Sequence, residues 1–158
     1  MAEYTYNAIL DRLAALCSQK EKCEHDAYTY LQKKGVPPAD CQKAVDYLVK
    51  NQFISNSRYA QAFARDKARF DKWGVNKISA ALALKRIDQQ TIRLAVERIS
   101  PETQEETIEG EVSKKAKQIK EIATPQAKAK LLRFCASRGY PAGLSLKIID
   151  KIINDSTY

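Results

Sequence analysis

Leu31-Gln-Lys-Lys-Gly35-Val36 returns 51 positions later as Leu82-Ala-Leu-Lys-Arg86-Ile87, and 53 positions further on as Cys135-Ala-Ser-Arg-Gly139-Tyr140. Each copy reads as the end of a helix, a short basic turn and an apolar residue leading into a second helix. The second helix shows Cys41, Ala44, Val45 and Leu48 in the first copy. It shows Ile92, Ala95, Val96 and Ile99 in the second, and Ser145, Ile148, Ile149 and Ile152 in the third. Positions i, i+3, i+4 and i+7 line one face of a 3.6-residue helix, and no stretch of useful length alternates as a strand does.

Upstream of each pair lies one more amphipathic segment. The first carries Tyr6, Ile9, Leu10, Leu13 and Leu16. The second carries Tyr59, Ala62, Phe63, Arg65–Asp66 and Phe70, and the third Ile108, Val112, Ala116, Ile119 and Ile122. The reading is all-α, with three tandem three-helix repeats over residues 1–53, 54–100 and 105–158. A three-helix unit this short leaves an apolar face bare, so neighbouring units stack into an elongated, curved array. Such an array offers an extended binding surface more readily than a pocket.

Turn chemistry supports these boundaries. Gly35 and Gly139 stand where a helix C-cap needs positive φ. Pro37–Pro38, Pro125 and Pro141 stand near helix starts, where a missing N–H costs least. Asn56 and Asp88 are candidate N-caps. Ser100–Thr107, with Pro101 and several polar neighbours, reads as the main linker.

Composition narrows the class further. Apolar residues make up 44% of the 158, with only five glycines and five prolines, few for an all-β chain. No run approaches the roughly 18 apolar residues of a membrane span, and no secretory signal opens the sequence, so a cytoplasmic address is expected. Cys17, Cys23, Cys41 and Cys135 form no CxxC pair and read as reduced thiols. With His25 the first three match no standard zinc spacing, and Cys41 also fills an apolar position of the repeat, so no metal is expected. There is no Gly-rich phosphate loop and no defensible nucleophile–base pair, so no cofactor is expected and nothing argues for an enzyme.

Net charge is +8, and it is unevenly spread. Residues 51–100 hold ten basic side chains against four acids, whereas residues 1–50 balance. Arg65, Lys67, Arg69, Lys72, Lys77, Lys85 and Arg86 form the main run, interrupted by Asp66 and Asp71. Arg65, Arg69 and Lys72 at i, i+4 and i+7 would place three cations on one helix face. A polyanion would release counterions on binding there, although basic helix faces are often merely solvated. A second run includes Lys114, Lys115 and Lys117, preceded by five glutamates. An acidic start and basic end also suit the dipole of a helix over roughly 105–122.

The middle of the chain carries a family resemblance. Phe53-Ile54 is followed by the polar Ser55-Asn56-Ser57, then Arg58-Tyr59-Ala60 through Phe63. A basic helix, Gly74, and Ile78 with Leu82 complete the pattern. This resembles the RecX signature over Val45 to Ile92, and Lys72-Trp73-Gly74 looks like its Bacteroidetes-type members. There are two departures. The acids usual before the Arg-Tyr are absent, and Lys85-Arg86-Ile87 replaces Lys-Gly-apolar, which would forfeit a favourable C-cap.

The resemblance implies a non-catalytic regulator of homologous recombination, DNA repair and the SOS response. It would bind the RecA recombinase filament on single-stranded DNA and inhibit its ATPase, strand-exchange and co-protease functions. Arg58 is a candidate contact with that partner, or a structural ion-pair member. Trp73 reads as a core or inter-repeat plug, with base stacking as the alternative. The rival reading is a plain DNA-binding protein of helix-turn-helix-like repeats. A third is a protein adaptor without nucleic acid.

Overall fold

A computed structural model describes residues 2–156, with side chains from Thr5 onward. Among these residues there are nine α-helices and no strand. They are α1 (Ala2–Gln19), α2 (Glu24–Lys33), α3 (Pro38–Lys50), α4 (Asn56–Phe70), α5 (Val75–Leu84), α6 (Gln89–Glu97), α7 (Pro101–Ala116), α8 (Pro125–Arg138) and α9 (Ala142–Ser156). The all-α expectation holds. None of these helices is long and apolar enough to cross a membrane.

The repeated turn has one construction in all three places. Between α2 and α3, Gly35 N–H donates to the Gln32 carbonyl and Val36 N–H to that of Leu31. Between α5 and α6 the pairs are Arg86 to Ala83 and Ile87 to Leu82; between α8 and α9, Gly139 to Ala136 and Tyr140 to Cys135. This is the paired C-cap of a helix closed by a left-handed residue. The residue at that point has φ of 84°, 58° and 81° at Gly35, Arg86 and Gly139. The cap that Arg86 was expected to forfeit is therefore formed, with a non-glycine residue carrying the strain.

Two other expectations change. Ser100–Thr107 is no linker: Ser100 Oγ accepts from Thr103 N–H at 3.1 Å and caps α7, which starts at Pro101. Proline at the first helical position and a serine before it are a helix start, and the local polarity concealed it. Asn56 does not cap α4. Ser55 Oγ accepts from Arg58 N–H at 3.2 Å, while Asn56 Oδ1 accepts from Glu24 N–H at 2.9 Å. Asp88 does cap α6, accepting from Thr91 N–H at 2.8 Å.

The chain divides into two compact units, Met1–Ala62 with Leu82–Ile92, and Phe63–Ala81 with Arg93–Tyr158. The first is built on Leu13, Cys17, Ala27, Leu31, Cys41, Ala44, Val45, Leu48 and Ile54. The second is built on Ile108, Val112, Leu131, Cys135, Tyr140, Ile148 and Ile149. Burying the leucine, isoleucine and valine side chains among them contributes about 1.5–3 kcal/mol each. All four cysteines are free and buried, and burial pushes the Cys23 thiol up to about 11.

Candidate nucleic-acid interface

In the first unit two of the three candidate cations, Arg58 and Lys85, are engaged by acids. Arg58 Nε donates to both oxygens of Glu21, at 3.0 and 3.2 Å, and its Nη2 donates to the Gln52 carbonyl at 2.9 Å. Gln52 itself lies at φ 65°, so Arg58 braces a strained turn. Lys85 Nζ meets Asp26 at 2.7 Å. The acids come from the Glu21–Asp26 stretch, far away in sequence, which is why spacing alone could not name them. Arg86 is exposed at the left-handed cap.

The second unit holds the rest of the main run. Lys67 pairs with Asp71 at 3.0 Å, and its ammonium also lies 4.7 Å from the centre of the Trp73 ring. The Lys77 ammonium lies 4.5 Å from the same ring, and Phe63 meets it edge-on at 6.1 Å. Cations over an indole are held by its quadrupole. Trp73 is thus an anchored side chain, with two lysines and the edge of Phe63 against it.

Gly74 fixes this turn. Its N–H donates to the Arg138 carbonyl at 2.7 Å, and Asn76 N–H donates to that of Gly139 at 3.0 Å. A Cβ on Gly74 would collide with the Gly139 carbonyl and the Tyr140 ring. Within the second unit, the tryptophan–glycine pair is a structural junction.

Arg65 and Arg69 are exposed on α4. Lys72 does not continue their helix face, because α4 stops at Phe70 and Lys72 turns left-handed with φ 58°. Phe70 departs further from expectation. Placed by spacing on the apolar face, it is 69% exposed, while Ala60 and Ala64 are the buried residues of α4. Neither Arg69 nor Lys72 has a carboxylate partner among the described residues.

The second run is more self-contained. Glu111, only 13% exposed, pairs with Lys114 at 3.3 Å and Arg138 at 3.1 Å. The Lys115 ammonium lies 5.6 Å from the Phe134 ring centre. Lys117 is exposed at the C-cap of α7, which ends at Ala116 rather than near 122. Among the described residues no group of His, Cys, Asp and Glu could hold a metal ion.

Short capped helices in threes, left-handed cap residues and an exposed cation cluster on the α4–α5 segment define an all-helical protein of tandem three-helix units. Comparison with known proteins sharpens this. Residues 55–96 match the family model described as RecX, second three-helix domain. The chain is similar to a Regulatory protein RecX of Clostridium botulinum, 28% identical over 87% of this chain and 65% of that protein. One from Lactobacillus johnsonii is 22% identical over 89% and 52%. One from Pseudomonas fluorescens is 27% identical over 93% and 95%. The chain therefore spans no more than about two thirds of the first two relatives. Among solved structures, a regulatory protein RecX superposes with a TM-score of 0.82 at 19% identity, covering 98% of this chain and 73% of the other. RecX from Lactobacillus salivarius gives 0.76 at 19%, covering 98% and 95%. The resemblance to the RecX family thus rests on the model match over residues 55–96, on relatives of that name aligned along most of the chain, and on the shared fold.

Proposed function

We propose that this chain is a non-catalytic regulatory protein that binds the RecA recombinase filament on single-stranded DNA and inhibits its ATPase, strand-exchange and co-protease activities. The observation that carries the reading is where the family match falls. Residues 55–96, matched to the RecX second three-helix domain, include the exposed Arg65, Arg69 and Lys72. The regulatory role is the one named in the relatives. The choice of partner rests on the family resemblance and on a cation cluster short of internal acids. Regulation of this kind needs no chemistry: binding one filament state better than another shifts its population.

The test is the DNA-dependent ATPase of the cognate recombinase on single-stranded DNA, titrated with the full chain. Inhibition well below one copy per recombinase subunit supports filament regulation by blocking of growing ends. Inhibition needing near-equal amounts supports occupancy along the filament. An unchanged ATPase together with salt-sensitive binding to bare duplex overturns the proposal in favour of a plain DNA-binding protein. An unchanged ATPase with no DNA binding also overturns the proposal, and leaves the resemblance to RecX proteins as a statement about fold.

A further inference from the structure

Phe70 ends α4 with its side chain largely in water, an unusual place for a phenyl ring in this chain. The Arg69 guanidinium lies 5.4 Å from the ring centre. Arg65 stands one helical turn before Arg69, and Lys72 follows Phe70 by two residues. Positions one turn apart hold their Cβ atoms about 5–6 Å apart, a spacing that suits successive charged groups of an extended polymer. The local acids do not quench this cluster. Asp71 is taken by Lys67 at 3.0 Å, and Asp66 lies 3.5 Å from Arg65 with both side chains mostly in solvent. Residues 63–81 as a whole carry Arg65, Lys67, Arg69, Lys72 and Lys77 against Asp66 and Asp71.

We propose that Phe70 is a stacking platform for one base of a single-stranded nucleic acid, with Arg65, Arg69 and Lys72 receiving the adjoining phosphates. An aromatic face takes any base without sequence preference, and the cations track the backbone. Charge complementarity selects this occupant over a protein surface. One exposed phenyl ring with Arg69 against it, and Arg65 and Lys72 close by in sequence, offers a base and its phosphates what they need, whereas a protein interface is expected to have a desolvated core depleted of charge. The inference deepens the proposed function, and rests on it for the setting in which single-stranded DNA is met.

The test uses the full chain and a fluorescein-labelled dT20 oligonucleotide, read by anisotropy across a salt series, with the recombinase ATPase measured in parallel. Phe70→Ala is expected to weaken dT20 binding about tenfold and leave the slope of log K against log salt unchanged. Arg69→Gln is expected to lower that slope by about 0.7, one phosphate contact. Phe70→Trp is expected to bind like the parent and to lose indole emission when dT20 is added. Phe70 is exposed, so melting temperatures should match the parent and remove misfolding as an explanation. Binding of dT20 by Phe70→Ala within twofold of the parent overturns the proposal, as does a parent chain that does not bind dT20. Loss of ATPase inhibition in Phe70→Ala with dT20 binding intact also overturns it, and assigns Phe70 to a protein contact. If the parent binds dT20 in a Phe70-dependent way but leaves the ATPase unchanged, this inference stands and the filament reading falls.

Discussion

The phenol of Tyr140 donates to the backbone carbonyl of Lys72 at 2.6 Å, tying the α8–α9 turn to the α4–α5 turn inside the second unit. Around that bond the two turns exchange backbone hydrogen bonds, Gly74 to Arg138 and Asn76 to Gly139. The approach is possible because neither Gly74 nor Gly139 has a side chain. A Cβ on Gly139 would meet the backbone of Lys77, and its φ of 81° disfavours any L residue.

Gly74→Ala is expected to destabilise the protein by about 3 kcal/mol or more, since both obstructing groups belong to packed turns. In a chain of this size that lowers the melting temperature by roughly 6–12 °C. Gly110→Ala is the control. Its Cβ meets nothing within 4 Å in mid-α7, so it should raise stability by about 0.5–1 kcal/mol. Equal melting of Gly74→Ala and parent would mean that the junction is not formed.

The same junction predicts an alkaline limit. Burial, the largest cause, pushes the Tyr140 phenol up to about 12 from an ordinary value near 10. Its hydrogen bond to Lys72 also requires the proton. A pKa raised in the folded state contributes stability that is complete below about pH 10 and is lost as pH rises through about 12. Tyr140→Phe should cost about 1 kcal/mol at pH 8 and show a shallower decline between pH 10 and 12. Tyr59, pushed to about 12 mainly by burial, adds to the decline and remains in that variant. A decline as steep in Tyr140→Phe as in the parent would refute the assignment.

Arg86 offers a gain. It closes the α5 cap at φ 58°, where its equivalents are Gly35 and Gly139. Arg86→Gly should stabilise by about 1 kcal/mol, because glycine meets no Cβ penalty in that region. A melting temperature higher by roughly 2–4 °C is expected. A lower one would mean that the guanidinium makes a contact worth more than the strain.

The period of about fifty residues exposed the three capped turns, because a left-handed cap leaves a local mark: a glycine or a basic turn, then an apolar residue. It also marked Cys41, Ile92 and Ser145, which are all buried at the equivalent helix position. What the sequence concealed was either non-local or ambiguous. Glu21 and Asp26 quench Arg58 and Lys85 from a distance that no spacing rule covers. Ser100-Pro101 was misread because a capped helix start and a polar linker share a composition. Phe70 was misplaced because apolar periodicity records where a phenyl could pack and says nothing about whether a partner surface is there. The contacts of Trp73 with Phe63, Lys67 and Lys77, all from its own repeat, were likewise not legible from spacing.

Arg58 separates a structural from a binding role. The pair with Glu21 is only partly buried, so either truncation should cost no more than about 1 kcal/mol. If the guanidinium serves to brace Gln52, Arg58→Ala, which loses both the Glu21 pair and the Gln52 bond, should lower the melting temperature more than Glu21→Ala, and the double variant little beyond Arg58→Ala. ATPase inhibition should survive in both. Loss of inhibition in Arg58→Ala alone, with Glu21→Ala unaffected or tighter, would move Arg58 to the partner surface.

The two basic runs should differ in the same assay. Arg65, Arg69 and Lys72 are exposed and lack strong internal partners, so a polyanion gains their full charge on binding. Lys114 already faces Glu111, and Lys115 lies over Phe134. Binding through these would break existing contacts before making new ones, and Lys117 would add one cation at most. Replacing Arg65, Arg69 and Lys72 together by glutamine should lower the salt slope of single-stranded DNA binding by about 2, three contacts at about 0.7 each. The matching replacement of Lys114, Lys115 and Lys117 should change it by less than about 0.7. Equal slopes for the two triple variants would show that exposure, rather than freedom from internal acids, decides which cations act. A larger effect from the second triple would place the interface on α7 and its C-cap instead.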